Sequence, residues 1–498
     1  MSFETDERSR QQQYISRRKF WMEAGMGIGG LALLDLLSQD QLLAATSAGN
    51  QCAPGGSPVA DSPFAPKPAH FKPRAKSVIS LFMSGGVSHV DTFQYKPALE
   101  KYDRMPMDGM GEIKVRQGYP GPLMKSPFSF KQYGKSGAWV SEIFPHIATL
   151  VDDLAFIHSC QGTSNDHVIS HYEWNTGSIQ MGFPSVGAWV TYGLGSENQS
   201  LPGFVVVLDP RGGPYAGPPN WQSGFLPAAF QGTVFRSKGD PILDLSAPAK
   251  YMTPQQERAR LDQMNLLNQN FDEKYPGMSE LSARISSYEL AYRMQSCAPE
   301  AVDLSSESDE TQQLYGMNDP VTAPYGRQCL LARRLVERGV RFVQLMSGAY
   351  VSIEDTWDAH ANIVSNHTLH AREVDKPIAG LITDLKRRGL LDETVVLWHS
   401  EFGRMPISQR GLGRDHNPGA MTVFMAGAGI QGGQSIGTTD EIGYKAEGQR
   451  ITNHDLHATL LHLLGMDHKR LTYYFNGRNM RLTDVSGELI PQIVGSKA

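Results

Sequence analysis

Short apolar runs that stop abruptly at glycine, histidine and carboxylate are what most limit the folds open to this chain. Val395-Val396-Leu397-Trp398 gives way at once to His399, Ser400, Glu401, Phe402, Gly403 and Arg404. A glycine-rich loop then delivers Arg414, Asp415, His416 and Asn417 ahead of a second apolar run, Met421–Met425. Ser77–Met83 behaves alike and runs out into Ser84-Gly85-Gly86, with His89 and Asp91 beyond. Leu154–His158, Phe204–Leu208 and Val340–Leu345 read as further buried strands. Helical spacing separates them at Ile143–Leu154, Gly182–Gly195, Arg327–Arg338 and Pro377–Arg388. Strands alternating with helices predict an α/β fold, in which ligands gather beyond the carboxyl ends of the strands.

Several strand ends carry the same cargo: His89 and Asp91, His167 and His171, Asp358 and His360, Glu401, and His416. A lone loop histidine is more often a hydrogen-bonded structural residue than a ligand. The claim of each rests on sharing one edge with the others. Asp358 and His360 face the same way if the chain there is extended. Imidazoles mixed with carboxylates suit zinc, manganese or iron, whereas magnesium or calcium alone would prefer oxygen ligands. Pro210–Phe235 is too long for a plain connection and suits a loop that covers a site.

The N-terminus points to export. Ser16-Arg17-Arg18-Lys19-Phe20 precedes a weakly apolar, glycine-rich run, Gly25–Leu37, and then small residues around Ala44–Ala48. Charged, apolar and small segments in that order mark a secretory signal. The paired arginines resemble a twin-arginine signal, which implies the twin-arginine export machinery as a partner and a periplasmic or extracellular destination. The run is too short and too interrupted for a stable membrane span. Residues 1–48 are therefore read as the signal, 49–75 as a Pro/Ala/Ser/Gly linker, and 76–498 as the folded domain, with a helical insertion at about 250–320. A net charge of −5 with no basic stripe argues against a nucleic-acid surface. The four cysteines lack metal-ribbon or haem spacing, and a disulfide between two of them would need an oxidising compartment. No dinucleotide glycine fingerprint supports a redox enzyme.

The motifs SRRKF, LFMSGGVSHVDTF, TWDAH, HSEFGR, GRDHNPG and TDEIGYKAEG, with the closing stretch Asp455–Pro491, resemble the exported bacterial family called domain-of-unknown-function family 1501. The likeness covers nearly the whole mature chain. That family is similar in plan to the alkaline phosphatase and sulfatase superfamily, whose members hydrolyse phosphate or sulfate esters with bound metals. The resemblance implies an alkaline-phosphatase-like three-layer sandwich: a mostly parallel central sheet with helices on both faces. It also implies a divalent metal ion, and a small or polymeric anionic ester as substrate.

Carried over residue by residue, the resemblance makes Asp358, His360 and His416 the ligands of one metal. For a second metal, Ser84-Gly85 stands where Asp-Gly is expected, leaving His89 or Asp91 as substitutes. Glu401-Phe402 stands where an Asp-His pair is expected. Aligning HYEWNTG on the superfamily's segment places His167 at the nucleophile, whereas anchoring on His167 places Thr163 there. Arg404 and Arg414 are expected to hold substrate oxygens through forked hydrogen bonds, with His171 as a further substrate-binding residue. No C-x-P-x-R motif is present, which argues against a formylglycine sulfatase. The competing expectation is a non-catalytic, metal-stabilised binding protein with a degenerate hydrolase site.

Overall fold

The computed structural model describes residues 63–495 other than 109–112, 114, 117, 119, 244, 246–251 and 275–278. The expected signal and the start of the expected linker lie outside the described residues. Described residues between 244 and 292 form one unit, and the remaining described residues form a second.

Eight strands make the central sheet of the larger unit: β1 (Ser77–Met83), β2 (Ala155–Cys160), β3 (Phe204–Val207), β4 (Thr233–Phe235), β5 (Phe342–Ser347), β6 (Thr394–His399), β7 (Met421–Ala426) and β8 (Gln434–Ile436). Their spatial order is β8-β2-β7-β6-β1-β5-β3-β4. β1 lies between β5 and β6, parallel to both, with Phe82 opposite Met346 on one side and His399 on the other. Only β7 runs against its neighbours, β2 and β6. The fold is therefore α/β with a mostly parallel central sheet. β1, β5, β6 and β7 are buried along their whole length, as their unbroken apolar runs require. Trp398 and Phe424, cross-strand partners on β6 and β7, stack at 5.1 Å and anchor the core there.

The principal helices of this unit are α1 (His167–Thr176), α2 (Val186–Leu194), α5 (Ala323–Glu337), α6 (Ile363–Arg387) and α7 (Asn453–Leu463). Between α2 and α5 come α3 (Pro254–Lys274) and α4 (Ser279–Val302), within the stretch expected to be helical. In the smaller unit Arg258 forks onto Glu289 at 2.7 and 2.9 Å, joining α3 to α4.

Three elements differ from the sequence reading. The helix expected from Pro377 begins fourteen residues earlier at Ile363, capped by the Asn362 side chain on the N–H groups of Val364 and Ser365. Pro377 lies inside α6, where surrounding packing tolerates the lost hydrogen bond. The helix expected at Ile143–Leu154 is a 3-10 segment, Ile147–Asp153, whose first N–H groups are held by Asp375. Asn453, which stands ahead of the helical run Asp455–Leu464 and reads from sequence as its cap, is instead the first residue of α7, and Thr452 caps it in a reciprocal capping box with Asp455. Residues 63–75, at the end of the stretch read as a linker, run along the domain: Phe64 O accepts from Ser196 N, and Arg74 N donates to Leu463 O. No helix among the described residues is long and apolar enough to cross a membrane.

Candidate metal centre

The topology explains why distant residues meet. β1, β5 and β6 end on one edge, so Ser84, the Asp358 loop and Glu401 emerge together. β7 is antiparallel and enters the sheet at that edge, so His416, just ahead of it, arrives there too. β2 ends on the same edge and leads into α1, whose first residue is His167. The turn after β1 presses on the Asp358 loop: Gly85 has φ +119°, and a Cβ there would lie 2.7 Å from Asp358 N.

Asp358 is the focus. Its Oδ1 lies 2.9 Å from His360 Nε2, 3.1 Å from His416 Nε2 and 2.6 Å from Arg404 Nη2. Its Oδ2 lies 3.2 Å from His167 Nε2. One ligand atom from each of His167, Asp358, His360 and His416 can be chosen so that all four lie within 4.8 Å of one another. All four residues are buried, His167 being the most open at 8% exposure. Burial acts to raise the Asp358 pKa, but the Arg404 guanidinium beside it and contacts with the three imidazoles hold it far below the usual carboxylate range.

Each imidazole is fixed from behind. His416 Nδ1 lies 2.7 Å from the backbone carbonyl of Asn165, which can only accept, so Nδ1 carries the proton. His360 Nδ1 bonds to Gln409 Oε1, and a pair of backbone hydrogen bonds between Gln409 and Gly413 holds that partner in place. His167 Nδ1 lies 2.7 Å from Glu401 Oε1. A neutral imidazole that donates from Nδ1 presents a lone pair at Nε2. Three Nε2 atoms, each opposite an Nδ1 that faces an oxygen, therefore converge on one carboxylate. His167 Nε2 finds no hydrogen-bond partner, although Asp358 Oδ2 is near. Burial pushes the His416 pKa down to about 4, which keeps its ring neutral. Three nitrogens and a carboxylate oxygen, each nitrogen oriented through its opposite ring N–H, fit a divalent cation of the zinc, manganese or iron kind.

The remaining expected site residues go elsewhere. Glu401 lies beside His167 and is fully buried, where its Oε1 also accepts from Gly85 N at 2.8 Å. His171 Nε2 faces the Ser84 hydroxyl at 3.2 Å from within a fully buried position, so it presents nothing to a substrate. Asp91 is not at the centre: Arg414 grips it at 2.6 and 3.1 Å, and Ser88 donates to it. His89 turns its Nε2 to Gly443 O at 2.7 Å. Arg414 spends its other donors on Met405 O and Met124 O. Arg404 is fully buried and uses all three nitrogens on the carbonyls of Gly85, Gly86, Trp357 and Arg414 and on Asp358. Neither arginine extends a free fork to a substrate, because binding the loop backbone consumes both. Thr163 is exposed and turns its N–H and hydroxyl to Glu173, away from the cluster.

Sequence reasoning missed Tyr215, Gln409 and Asn165. Tyr215, from the loop expected to cover a site, stacks on His167 at 4.0 Å with 8° between the rings. Asn165 acts through its carbonyl, which no residue type announces. The start of α1 carried a legible signal: Asp166 caps Val168 and Ile169, and Gly177, with φ +74°, ends the helix.

Several solved structures resemble this one. The lipoteichoic acid synthase LtaP from Listeria monocytogenes matches at 10% identity and a TM-score of 0.34, covering 84% of this chain and 78% of its own. Alkaline phosphatase from the Antarctic bacterium TAB5 matches at 11% identity and 0.33, covering 80% and 99%. The PsFucS1 sulfatase from Pseudoalteromonas sp. matches at 13% identity and 0.35, covering 83% and 72%. Among curated proteins, none matches the chain. Residues 75–494 match the model of the family described as protein of unknown function (DUF1501), and the chain belongs to that family.

Proposed function

We propose that this protein is a cation-dependent hydrolase acting on phosphate or sulfate esters. One observation carries the reading: three imidazoles, each pinned at Nδ1 by an oxygen, direct Nε2 at the Asp358 carboxylate. That arrangement leaves lone pair facing lone pair unless a cation or a proton lies between them. Asp358, His360, His416 and His167 would hold the cation. When bound, it would polarise an ester oxygen and make a water a better nucleophile.

The chain's own residues orient and enclose. Arg404 offsets the Asp358 charge and fixes the loop that carries it. Tyr215 covers the His167 ring and limits water. Thr163 turns to Glu173, and His167 gives Nδ1 to Glu401 and would give Nε2 to the cation, so water is the attacking group. A bond forms from water oxygen to phosphorus or sulfur as the ester bond breaks. One proton goes to the departing oxygen and the other stays on the released oxyanion.

A second reading is favoured by the same burial: with Arg404 spent on backbone and Asp358, and Arg414 on Asp91 and backbone, the centre serves as a structural clamp in a binding protein. Elemental analysis followed by an aryl phosphate and aryl sulfate panel, with and without chelator, separates the two. Chelator-sensitive turnover lost in Asp358→Ala supports the hydrolase. Bound metal with no turnover on any ester, and variants that change only thermal stability, would establish the clamp.

Export through the twin-arginine machinery to the periplasm or exterior is part of the proposal, supported by Arg17-Arg18 ahead of a weakly apolar run. Replacing both by lysine should strand the unprocessed chain in the cytoplasm. Unchanged processing would refute that route.

A further inference from the structure

We propose that this centre takes one cation, not two, and that Glu401 is a positioning residue for His167 instead of a metal ligand. The inference rests on the cation-centre reading above and concerns how many ions the chain can hold. The resemblance implied a second position built from Glu401, its neighbour Phe402, and His89 or Asp91 in place of the residue now Ser84. The geometry draws each of those residues into a contact of its own.

Glu401 has Oε1 committed to two donors. Oε1 accepts from Gly85 N at 2.8 Å and His167 Nδ1 at 2.7 Å, with His171 Nε2 at 3.5 Å. Oε2 lies 2.9 Å from the Ser400 hydroxyl, whose one proton it shares with Met83 O at 2.6 Å. The Ser84 hydroxyl is engaged with His171 Nε2 at 3.2 Å. Phe402 supplies hydrocarbon where a nitrogen would be needed, its ring centre 4.5 Å from that of His416 and 4.9 Å from that of His167. Asp91 is locked to Arg414, and His89 Nε2 to Gly443 O.

Between the Glu401 and Asp358 carboxylates lies the His167 ring, with one nitrogen to each. It is clamped by Tyr215 on one contact and Phe402 on another. With its single N–H at Nδ1, the neutral imidazole satisfies the Glu401 carboxylate without a second cation. In the other direction it offers Nε2 to the single cation. A carboxylate behind a ligating imidazole sets the ring's tautomer and angle, and its loss weakens metal binding by about 10–100-fold.

The test is metal stoichiometry, which needs no substrate. The full chain, stripped with chelator and dialysed, is titrated with Zn²⁺ and with Co²⁺, desalted and analysed for metal per polypeptide. One equivalent is expected for the wild type. Glu401→Gln should also bind one equivalent, at about 10–100-fold weaker affinity and with an altered cobalt visible spectrum. Asp358→Asn should bind none. Two equivalents in the wild type, or a fall from two to one in Glu401→Gln, would overturn the proposal while leaving the hydrolase reading intact. Zero equivalents in the wild type would instead remove the cation centre itself. Should Glu401→Gln not fold, by circular dichroism, anomalous scattering from zinc-soaked wild-type crystals decides. One peak on the three Nε2 atoms and Asp358 supports the proposal, and a second peak at Glu401 refutes it.

Discussion

Asp358 and His360 stand two residues apart, and His360 Nε2 lies 2.9 Å from Asp358 Oδ1. The two side chains meet across Ala359 in the irregular loop that precedes α6. The pair is also held from outside. Arg414 N donates to Ala359 O at 3.0 Å, and Gln409 bonds to His360 Nδ1. A cation seated here would find both donors preset.

Removing one donor gives the first prediction. A ligand bound only by the folded state, at 100 times its dissociation constant, stabilises by about 2.7 kcal/mol. Zinc should raise the midpoint of thermal unfolding of the wild type, and chelator should lower it. His360→Ala should abolish the difference between zinc and chelator. An undiminished zinc effect in that variant would remove His360 from the centre.

Part of this was readable in the residues and part was not. Asp358, His360, His416 and His167 were all singled out because polar residues at the ends of apolar runs must share an edge in an α/β sheet. The antiparallel direction of β7, which brings His416 to that edge, leaves no trace in its apolar pattern. Asp91 and His89 carried the same residue types in the same setting, yet they belong to a neighbouring structural network. What separates them from Asp358 is a long-range partner, Arg414 for Asp91, 323 positions away, and Gly443 for His89, and spacing along the chain carries no record of either. Arg404 was misread for the same reason: a guanidinium looks alike in sequence whether it faces a substrate or four carbonyls. The late start assumed for α6 came from taking Pro377 as a boundary, when burial of the helix on both sides of it outweighs one missing bond.

Arg404→Met tests that correction. The change keeps much of the volume but takes from Asp358 its cationic partner and from four backbone carbonyls the Arg404 donor. Removing one partner of a buried ion pair costs about 3–5 kcal/mol. Chemical denaturation of the metal-free protein should show a loss of that size. A variant of wild-type stability with only a weakened substrate KM would return Arg404 to a binding role.

Gly85 offers a backbone test. Its φ of +119° is unfavourable for any side chain, and a Cβ would press on the Trp357–Asp358 peptide. Gly85→Ala should cost about 1–3 kcal/mol for the conformation alone, and the crowding adds to it. Because the pressure falls on Asp358, metal affinity should fall as well. Unfolding midpoints and zinc titration together check this, and a variant that loses neither would show that the turn is free to relax.

The last prediction concerns pH and lies away from the metal centre. Asp375 on α6 is buried, and its two oxygens accept from His146 N at 2.8 Å and Ile147 N at 2.7 Å. Burial pushes its pKa up to about 7, overcoming the opposing pull of those two N–H groups. In the unfolded chain an aspartate titrates near about 3.9. Between those values the folded protein holds a proton that the unfolded chain has released. Stability from this group is therefore complete below about pH 4, declines as pH rises toward about 7, and is level above that. One proton corresponds to a slope of about 1.4 kcal/mol per pH unit at most. Asp375→Asn cannot titrate, so the difference in unfolding free energy between wild type and variant should shift by that slope across the window and flatten above it. Urea unfolding at intervals from pH 4.5 to about 8 measures it. Parallel curves for the two proteins would show that Asp375 is already ionised in the fold, with the His146 and Ile147 N–H groups prevailing over burial.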